Sequence, residues 1–403
     1  MIPFSLRVLF LRTYMVIFKF VTWVLPFREP QLFNGPGASL ELCRVVAAGG
    51  TRKILIVTDE MLAKLGLLEP LVAELEKNNV EVAVYDRIKP DPTIALIEDG
   101  LEFLRQNSCE AILAVGGGSS MDAAKMIAAR ATNNKPIQKM AGLFLVFRRP
   151  LPLFAIPTTA GTGSEVTIAA VVSDPEEQRK FAVIDLKLVP QMAALDAELM
   201  KGLPPQITSA TGMDALTHAV EAYISKNALK RTDEKAVEAT KLIMQWLPEA
   251  VHNGQNLEAR QNMALASYYA GIAFTQAGVG YVHAISHNFG ARYHTPHGLG
   301  NAIVLPYVLE YSKPVCAQRL AKLAEHCGMK QGGESVEELA EKFIDRIREM
   351  NADFGIPTKL DALQAADIPA IADAALKEAR FTYAVPKYMD RPTCEGLIKQ
   401  IMV

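Results

Sequence analysis

The chain has 403 residues, half of them hydrophobic and 21% charged, with 42 basic against 44 acidic side chains and a formal net charge of −2. Such a length exceeds what one core of about 250 to 300 residues accommodates, so two domains are expected. The composition excludes a disordered chain and makes nucleic acid an improbable partner. Cys43, Cys109, Cys316, Cys327 and Cys394 lie far apart with no CxxC pair. Neither a disulfide framework nor a thiolate zinc site is indicated, and a reducing, cytoplasmic setting is expected.

The first segment, residues 1–29, is an apolar helix extension. From Val8 to Leu25 it reads "VLFLRTYMVIFKFVTWVL" and stops at Pro26. A secretory signal needs an uninterrupted apolar run and a small-residue cleavage site, which "PFREPQ" does not offer. A spanning helix would have to bury Arg12 and Lys19. At roughly 100° per residue, Arg7, Thr22, Lys19 and Arg12 share one arc of about 140°, and the remainder is apolar. The preferred expectation is packing on its own protein or a second subunit. The alternative is a basic amphipathic helix in peripheral contact with a membrane through residues 1–27.

Residues 30–201 alternate β-branched runs with helical patterns: "KILIVTD" (Lys53 to Asp59), a helix over 60–78, "VEVAVYD", "TIALIEDGLEFLRQN" and "EAILAVGGG". Such alternation predicts βαβ units and a parallel sheet buried on both faces. In "AILAVGGGSSMDAAK" a buried strand meets a glycine turn, Gly116 to Gly118, and a helix opening near Ser119 or Ser120. Backbone N–H groups at that helix start, approached closely through glycine, suit a pyrophosphate. The usual dinucleotide fingerprint is not satisfied, because Met121 stands at the third glycine position and the best ribose acid, Asp59, closes an earlier strand. A second turn, "IPTTAGTGSEVT" from Ile156 to Thr167, gathers hydroxyls and glycines that hydrogen-bond without filling a nucleotide cleft.

After "KGLPPQ" strands disappear, and residues 202–403 are expected to form an all-helical domain. In "SATGMDALTHAVEAYIS" Asp214 and His218 stand four apart, on one helical face. The stretch "VHAISHNFGARYHTPHGLG" holds four of the seven histidines, with His283 and His287 repeating that spacing and His297 after a turn. Oxygen and imidazole donors without thiolate suit Fe(II) or Zn(II) with an open position. Asp214, His218, His283, His287 and His297 are five candidates for four places.

The motifs "GGGSSMDAAK", "PTTAGTGSEVT", "GMDALTHAVEAY" and "HAISHNFGARYHTPHG" together resemble those of the iron-containing, group III alcohol dehydrogenases, from about Pro30 to the C-terminus. The resemblance implies an α/β N-terminal nucleotide-binding domain plus an all-α C-terminal metal-binding domain, a dehydroquinate synthase-like fold with the active site in the cleft between them. It implies metal ligands at Asp214, His218, His283 and His297, with His287 near the nicotinamide and His294 a loop residue rather than a ligand. It implies NAD contacts at Asp59, Gly116, Gly117, Gly118, Ser119, Thr158, Thr159, Thr162 and Lys180. Asp91 in "KPDPT" stands where the family has asparagine, and the apolar N-terminus is an addition. Phe274 is either pocket wall or core. The activity implied is hydride transfer between an alcohol and NAD, aided by Fe(II) or Zn(II), in a homo-oligomer, expected to be a dimer, acting on a small alcohol or aldehyde.

Two other chemistries use a similar donor set. A metal hydrolase would have no use for Asp59 or the glycine turn. A lyase of the dehydroquinate synthase kind, using NAD transiently, needs a strongly basic phosphate pocket, and the helical half has no such run. An acid at the end of a strand accepts hydrogen bonds from a ribose and repels a 2′-phosphate, so NAD should be preferred over NADP. Asp59→Gly should narrow or reverse that preference, read as the ratio of kcat/KM for the two cofactors.

Overall fold

The computed structural model describes residues 3–177 and 179–403. The chain begins with α1 (Phe4–Val24) and continues through β1 (Gln31–Asn34), α2 (Ala38–Ala48), β2 (Lys53–Asp59), α3 (Glu60–Lys64), α4 (Glu69–Lys77) and β3 (Glu81–Ile88). Next come α5 (Ile94–Gln106), β4 (Ala111–Gly116), α6 (Gly118–Thr132), β5 (Gly142–Leu143), β6 (Leu153–Pro157), β7 (Ala169–Asp174), β8 (Arg179–Ile184) and β9 (Met192–Leu195). Helices alone follow: α7 (Pro205–Ile224), α8 (Lys230–His252), α9 (Leu257–Ala277), α10 (Tyr281–Tyr293), α11 (His297–His326), α12 (Val336–Asp353), α13 (Ile368–Thr382) and α14 (Arg391–Ile401).

Two compact units result. One comprises Phe27–Leu203 with Gln255–Tyr268; the other comprises Met1–Pro26, Pro204–Gly254 and Tyr269–Val403. The α/β unit thus reclaims the start of α9, which a boundary at 202 assigns to the helical domain. The reason is polar: Gln261 Nε2 donates to Asn34 Oδ1 (2.6 Å) and Leu195 O (2.9 Å), and Gln261 Oε1 accepts from Ala197 N (3.0 Å). Helical periodicity reports that a face is buried, not which core receives it.

In the α/β unit the order β1-β9-β6-β4-β2-β3 is parallel throughout. Strands β4 and β6 are buried at every position, as their unbroken apolar runs require. The chain leaves β2 for β3 on one side and returns to β4 on the other. The carboxyl ends of β2 and β4 therefore bracket a topological switch point, where open parallel sheets bind ligands. The helix expected over 60–78 is two, because Gly66 takes a left-handed φ of 71° and ends the first. A second sheet, β5-β8-β7, was not anticipated; in it β7 and β8 pair antiparallel.

One buried cation ties the glycine turn's helix to the threonine-rich turn. Lys125, on α6, donates to Ser164 Oγ (3.0 Å), Thr167 O (3.0 Å), Thr167 Oγ1 (2.9 Å) and Ala169 O (2.8 Å). Ser164 Oγ in turn donates to Asp122 Oδ1 (2.8 Å), and Val171 N donates to Asp122 Oδ2 (3.0 Å). Burial pulls the Lys125 ammonium down to about 8 and pushes the neighbouring Glu165 carboxyl up to about 7.

In the helical unit, α7 is buried continuously from Gly212 to Ile224, its polar side chains Asp214, Thr217, His218 and Glu221 included. Helix α1 packs on its own unit, with Met15 and Thr22 buried and the Phe381 ring set edge-on to Phe10 and Tyr14. The middle of its polar arc faces the protein, with Thr22 buried and Lys19 Nζ donating to Lys226 O (3.0 Å) and Ala228 O (2.7 Å), while Arg7 and Arg12 at the arc's flanks are exposed. No described helix is long and apolar enough to cross a membrane.

Removing Lys125 strands a buried carboxylate, so Lys125→Met should lower the urea-unfolding free energy by about 3–5 kcal/mol. Adding Asp122→Asn should recover part of the loss.

Candidate active site

At the switch point the two turns of the α/β unit interlock. Thr158 N donates to Gly116 O (3.0 Å). Gly116 has a φ of 148°, and a Cβ there would lie 2.6 Å from Ser120 Oγ; a Cβ on Gly118 would lie 2.8 Å from Thr162 Cγ2. A side chain is thus excluded at Gly116 by contact and conformation and at Gly118 by contact, which leaves these positions at the N-terminus of α6 as bare backbone. The residues present fit a pyrophosphate: a 15-residue helix begins at the turn with no side-chain cap on its first N–H groups.

Asp59 ends β2 beside this turn and has a structural duty too. Its Oδ1 caps α3 by accepting from Leu62 N (3.0 Å). Asp91 takes a left-handed φ of 59°, and its N–H donates to Ser119 Oγ (3.3 Å). Its carboxylate meets Lys180 Nζ at 2.6 Å. The aspartate that departs from the asparagine pattern therefore links two expected cofactor residues, Ser119 and Lys180.

In the helical unit, Asp214 and His218 project from successive turns of α7, His283 from α10 and His297 from the start of α11. Their four ligand atoms lie within 4.8 Å of one another. Asp214 Oδ1 stands 3.4 Å from His297 Nε2, 3.9 Å from His283 Nε2 and 4.0 Å from His218 Nε2. Ligand bonds of about 2.0–2.2 Å in a tetrahedron put donor atoms about 3.4 Å apart, and the 3.4–4.0 Å distances from Asp214 lie near that spacing. Asn301 tests the fit. Its buried Nδ2 donates to Asp214 Oδ1 (2.7 Å) and lies 3.1 Å from His283 Nε2 and 3.2 Å from His297 Nε2. Three acceptor atoms thus converge on one electropositive group.

The histidines are held by residues the sequence reading did not single out. His283 Nδ1 meets Glu221 Oε2 at 2.7 Å, and Glu221 also accepts from Gly280 N and Val282 N, each at 2.8 Å. This pairing turns Nε2 toward Asp214, as outer carboxylates do for metal-binding histidines. Burial, reinforced by the neighbouring histidines, holds the His283 pKa well below the usual value, keeping the ring in the neutral form that ligates. Burial pushes the Glu221 carboxyl up to about 7 against its N–H donors. Phe274 stacks on His218 (4.2 Å), which stacks on His283 (4.6 Å). Phe274 thus supports the His218 ring. A Cβ on Gly298 would strike Ala210 O, and one on Gly300 would lie 2.5 Å from Ser286 Oγ, so "HGLG" lets α11 begin against α7 and α10.

His287 lies apart from the four. Its ring stacks on His297 (5.3 Å, 19°), while Nδ1 meets Glu378 Oε1 at 2.8 Å. Tyr383 donates to the same oxygen (2.6 Å). His294 is exposed and ends α10 in a left-handed conformation (φ 54°), a chain-reversing role. Glu221 sits seven residues after Asp214 on the same helical face, a spacing that could have flagged it. Glu378 and Tyr383 carry no such local signal, being about ninety residues from His287.

Comparison with known proteins places this constellation. Residues 30–197 match the model of iron-containing alcohol dehydrogenases, and residues 208–402 match that of the Fe-containing alcohol dehydrogenase family, C-terminal. The chain belongs to the iron-containing alcohol dehydrogenase family. It is 41% identical to an NAD-dependent methanol dehydrogenase of Bacillus methanolicus, over 82% of this chain and 87% of that one. It is 40% identical to a 1,3-propanediol dehydrogenase of Citrobacter freundii, over 86% and 90%. The solved alcohol dehydrogenase from Oenococcus oeni superposes with a TM-score of 0.91 at 35% identity, covering 94% of this chain and all of the other. The enzyme is an oxidoreductase of alcohols.

If Glu221 orients the His283 ring, Glu221→Gln should weaken Fe(II) or Zn(II) binding by about 10- to 100-fold in competition with a chelator, while His294→Ala leaves it unchanged.

Proposed function

We propose that the enzyme moves a hydride between a small primary alcohol or diol and NAD, in either direction, using a divalent ion held by Asp214, His218, His283 and His297. The observation that carries this reading is the convergence of one carboxylate oxygen and three imidazole nitrogens within 4.8 Å. A divalent cation supplies Lewis acidity to the substrate oxygen. Iron is the expected ion, with zinc compatible with the same donors. The choice of methanol-like and diol substrates follows the names of the relatives.

The chain's own groups supply position and proton traffic. Asp59, Gly116, Gly117, Gly118, Ser119, Thr158, Thr159, Thr162 and Lys180 hold NAD, with the pyrophosphate on the N-terminus of α6 and the adenosine ribose on Asp59. The family resemblance would put His287 near the nicotinamide. Because Glu378 engages Nδ1, the ring exchanges the alcohol proton through Nε2, and Glu378 stabilises the charged imidazole that results. Burial and the adjoining Glu378 hold the Tyr383 hydroxyl well above its ordinary value, so it stays a hydrogen-bond donor and keeps Glu378 in place. All five cysteines are unpaired, which supports a reducing, cytoplasmic setting. A homodimer is the assembly proposed, and sedimentation velocity reads it directly.

Purified enzyme should reduce NAD with short primary alcohols or 1,3-diols, lose turnover on chelation and regain it with Fe(II). His287→Ala should keep its metal while kcat falls about 10²- to 10⁴-fold. His283→Ala and His297→Ala should lose metal and turnover together. A His287→Ala protein empty of metal, beside a loaded His297→Ala, would reassign the ligands.

A further inference from the structure

Helix α1 is turned inside out relative to the hydrophobic effect. Thr22 is buried and Lys19 is spent on backbone carbonyls of its own unit, while six large apolar side chains face outward. Leu9, Phe10, Val16, Ile17, Phe20 and Trp23 are each 58–69% exposed. At 100° per residue they occupy one continuous arc of about 140° opposite the packed face. Arg12 borders one edge of the arc and Arg7 lies beyond the other. Residues 1–28 contain Arg7, Arg12, Lys19 and Arg28 but no Asp or Glu, in a chain whose net charge is negative. The segment also lies outside the family match, which begins at residue 30.

A contiguous apolar arc of this kind is not left in water without an occupant. A second copy of α1 would set arginine rims against arginine rims, with no acid in the segment to pair them. An anionic bilayer surface answers both features, offering acyl chains to the arc and phosphates to the rims. Spanning is excluded by Arg12 in mid-helix and by the absence of any described helix apolar enough to cross. A helix of 21 residues lying flat covers about 31 Å of such a surface.

We propose that α1 docks the enzyme on anionic lipid surfaces, with the arc from Leu9 to Trp23 among the acyl chains and Arg7 and Arg12 at the headgroups. This docking is independent of turnover and of the cofactor assignment. The full-length enzyme should co-sediment with phosphatidylcholine vesicles containing phosphatidylglycerol and much less with phosphatidylcholine alone. In a Trp246→Phe background, Trp23 emission should shift to the blue on the mixed vesicles only. Ile17→Ser with Phe20→Ser should abolish both signals while leaving thermal unfolding and turnover unchanged, since both side chains are exposed. Arg7→Gln with Arg12→Gln should weaken binding to the mixed vesicles about 25-fold, roughly fivefold per arginine. Absent co-sedimentation, equal binding to neutral vesicles or an unshifted Trp23 would each overturn the proposal. So would a dimer that Ile17→Ser with Phe20→Ser dissociates without any vesicle binding, which would make this face an interface between copies.

Discussion

A carboxylate buried inside a helical core sets the terms for the C-terminal unit. Asp214 is 2% exposed on a helix that is buried around its whole circumference from Gly212 to Ile224. Burying such a charge costs several kcal/mol unless positive charge or donors compensate it. The Asn301 amide supplies part of that compensation by donating to it, and the three imidazole nitrogens that converge beside it frame a place where a divalent cation would supply the rest. The same demand explains the glycines in "HGLG", because α11 can bring His297 and Asn301 to Asp214 only by starting in contact with α7 and α10.

The N-terminal unit solves a related problem with the opposite sign. Lys125 is a buried ammonium, and its four acceptors lie in the segment that carries the threonine-rich turn. Fixing that segment against α6 places the hydroxyls of Thr158, Thr159 and Thr162 around the glycine turn. Buried polar networks of this kind are worth having only when every member is satisfied, and they then hold one geometry. Each unit thus positions its reactive groups with a buried ion.

Helix α1 obeys a different rule from the rest of the molecule. Elsewhere most large apolar side chains face cores; here Leu9, Phe10, Val16, Ile17, Phe20 and Trp23 face outward, and Lys19 and Thr22 are used against the protein. The distribution of charge reinforces the contrast, since a segment free of acids opens a chain that carries more acids than bases. On the docking proposal, the extension bears on where the enzyme acts, while the matched region bears on what it does.

The parallel sheet, the helical second half and the five candidates Asp214, His218, His283, His287 and His297 were legible in the sequence, because each is written in local patterns: β-branched runs, the period of a helix, donors four apart or clustered after a turn. Which four of five candidates converge was not so written, since residues i and i+4 share a face whether or not a ligand sits there; the outward displacement of His287 to Glu378 was decided by α13 packing on α10. The return of the start of α9 to the α/β unit, the small sheet β5-β8-β7 and the roles of Glu221, Lys125 and Asn301 were likewise tertiary. Periodicity tells a helix which of its faces to bury, but only the neighbouring elements say against what. Helix α1 is the clearest case: its sequence marked one polar and one apolar arc, and the carbonyls of Lys226 and Ala228, more than two hundred residues away, decided which arc turned inward.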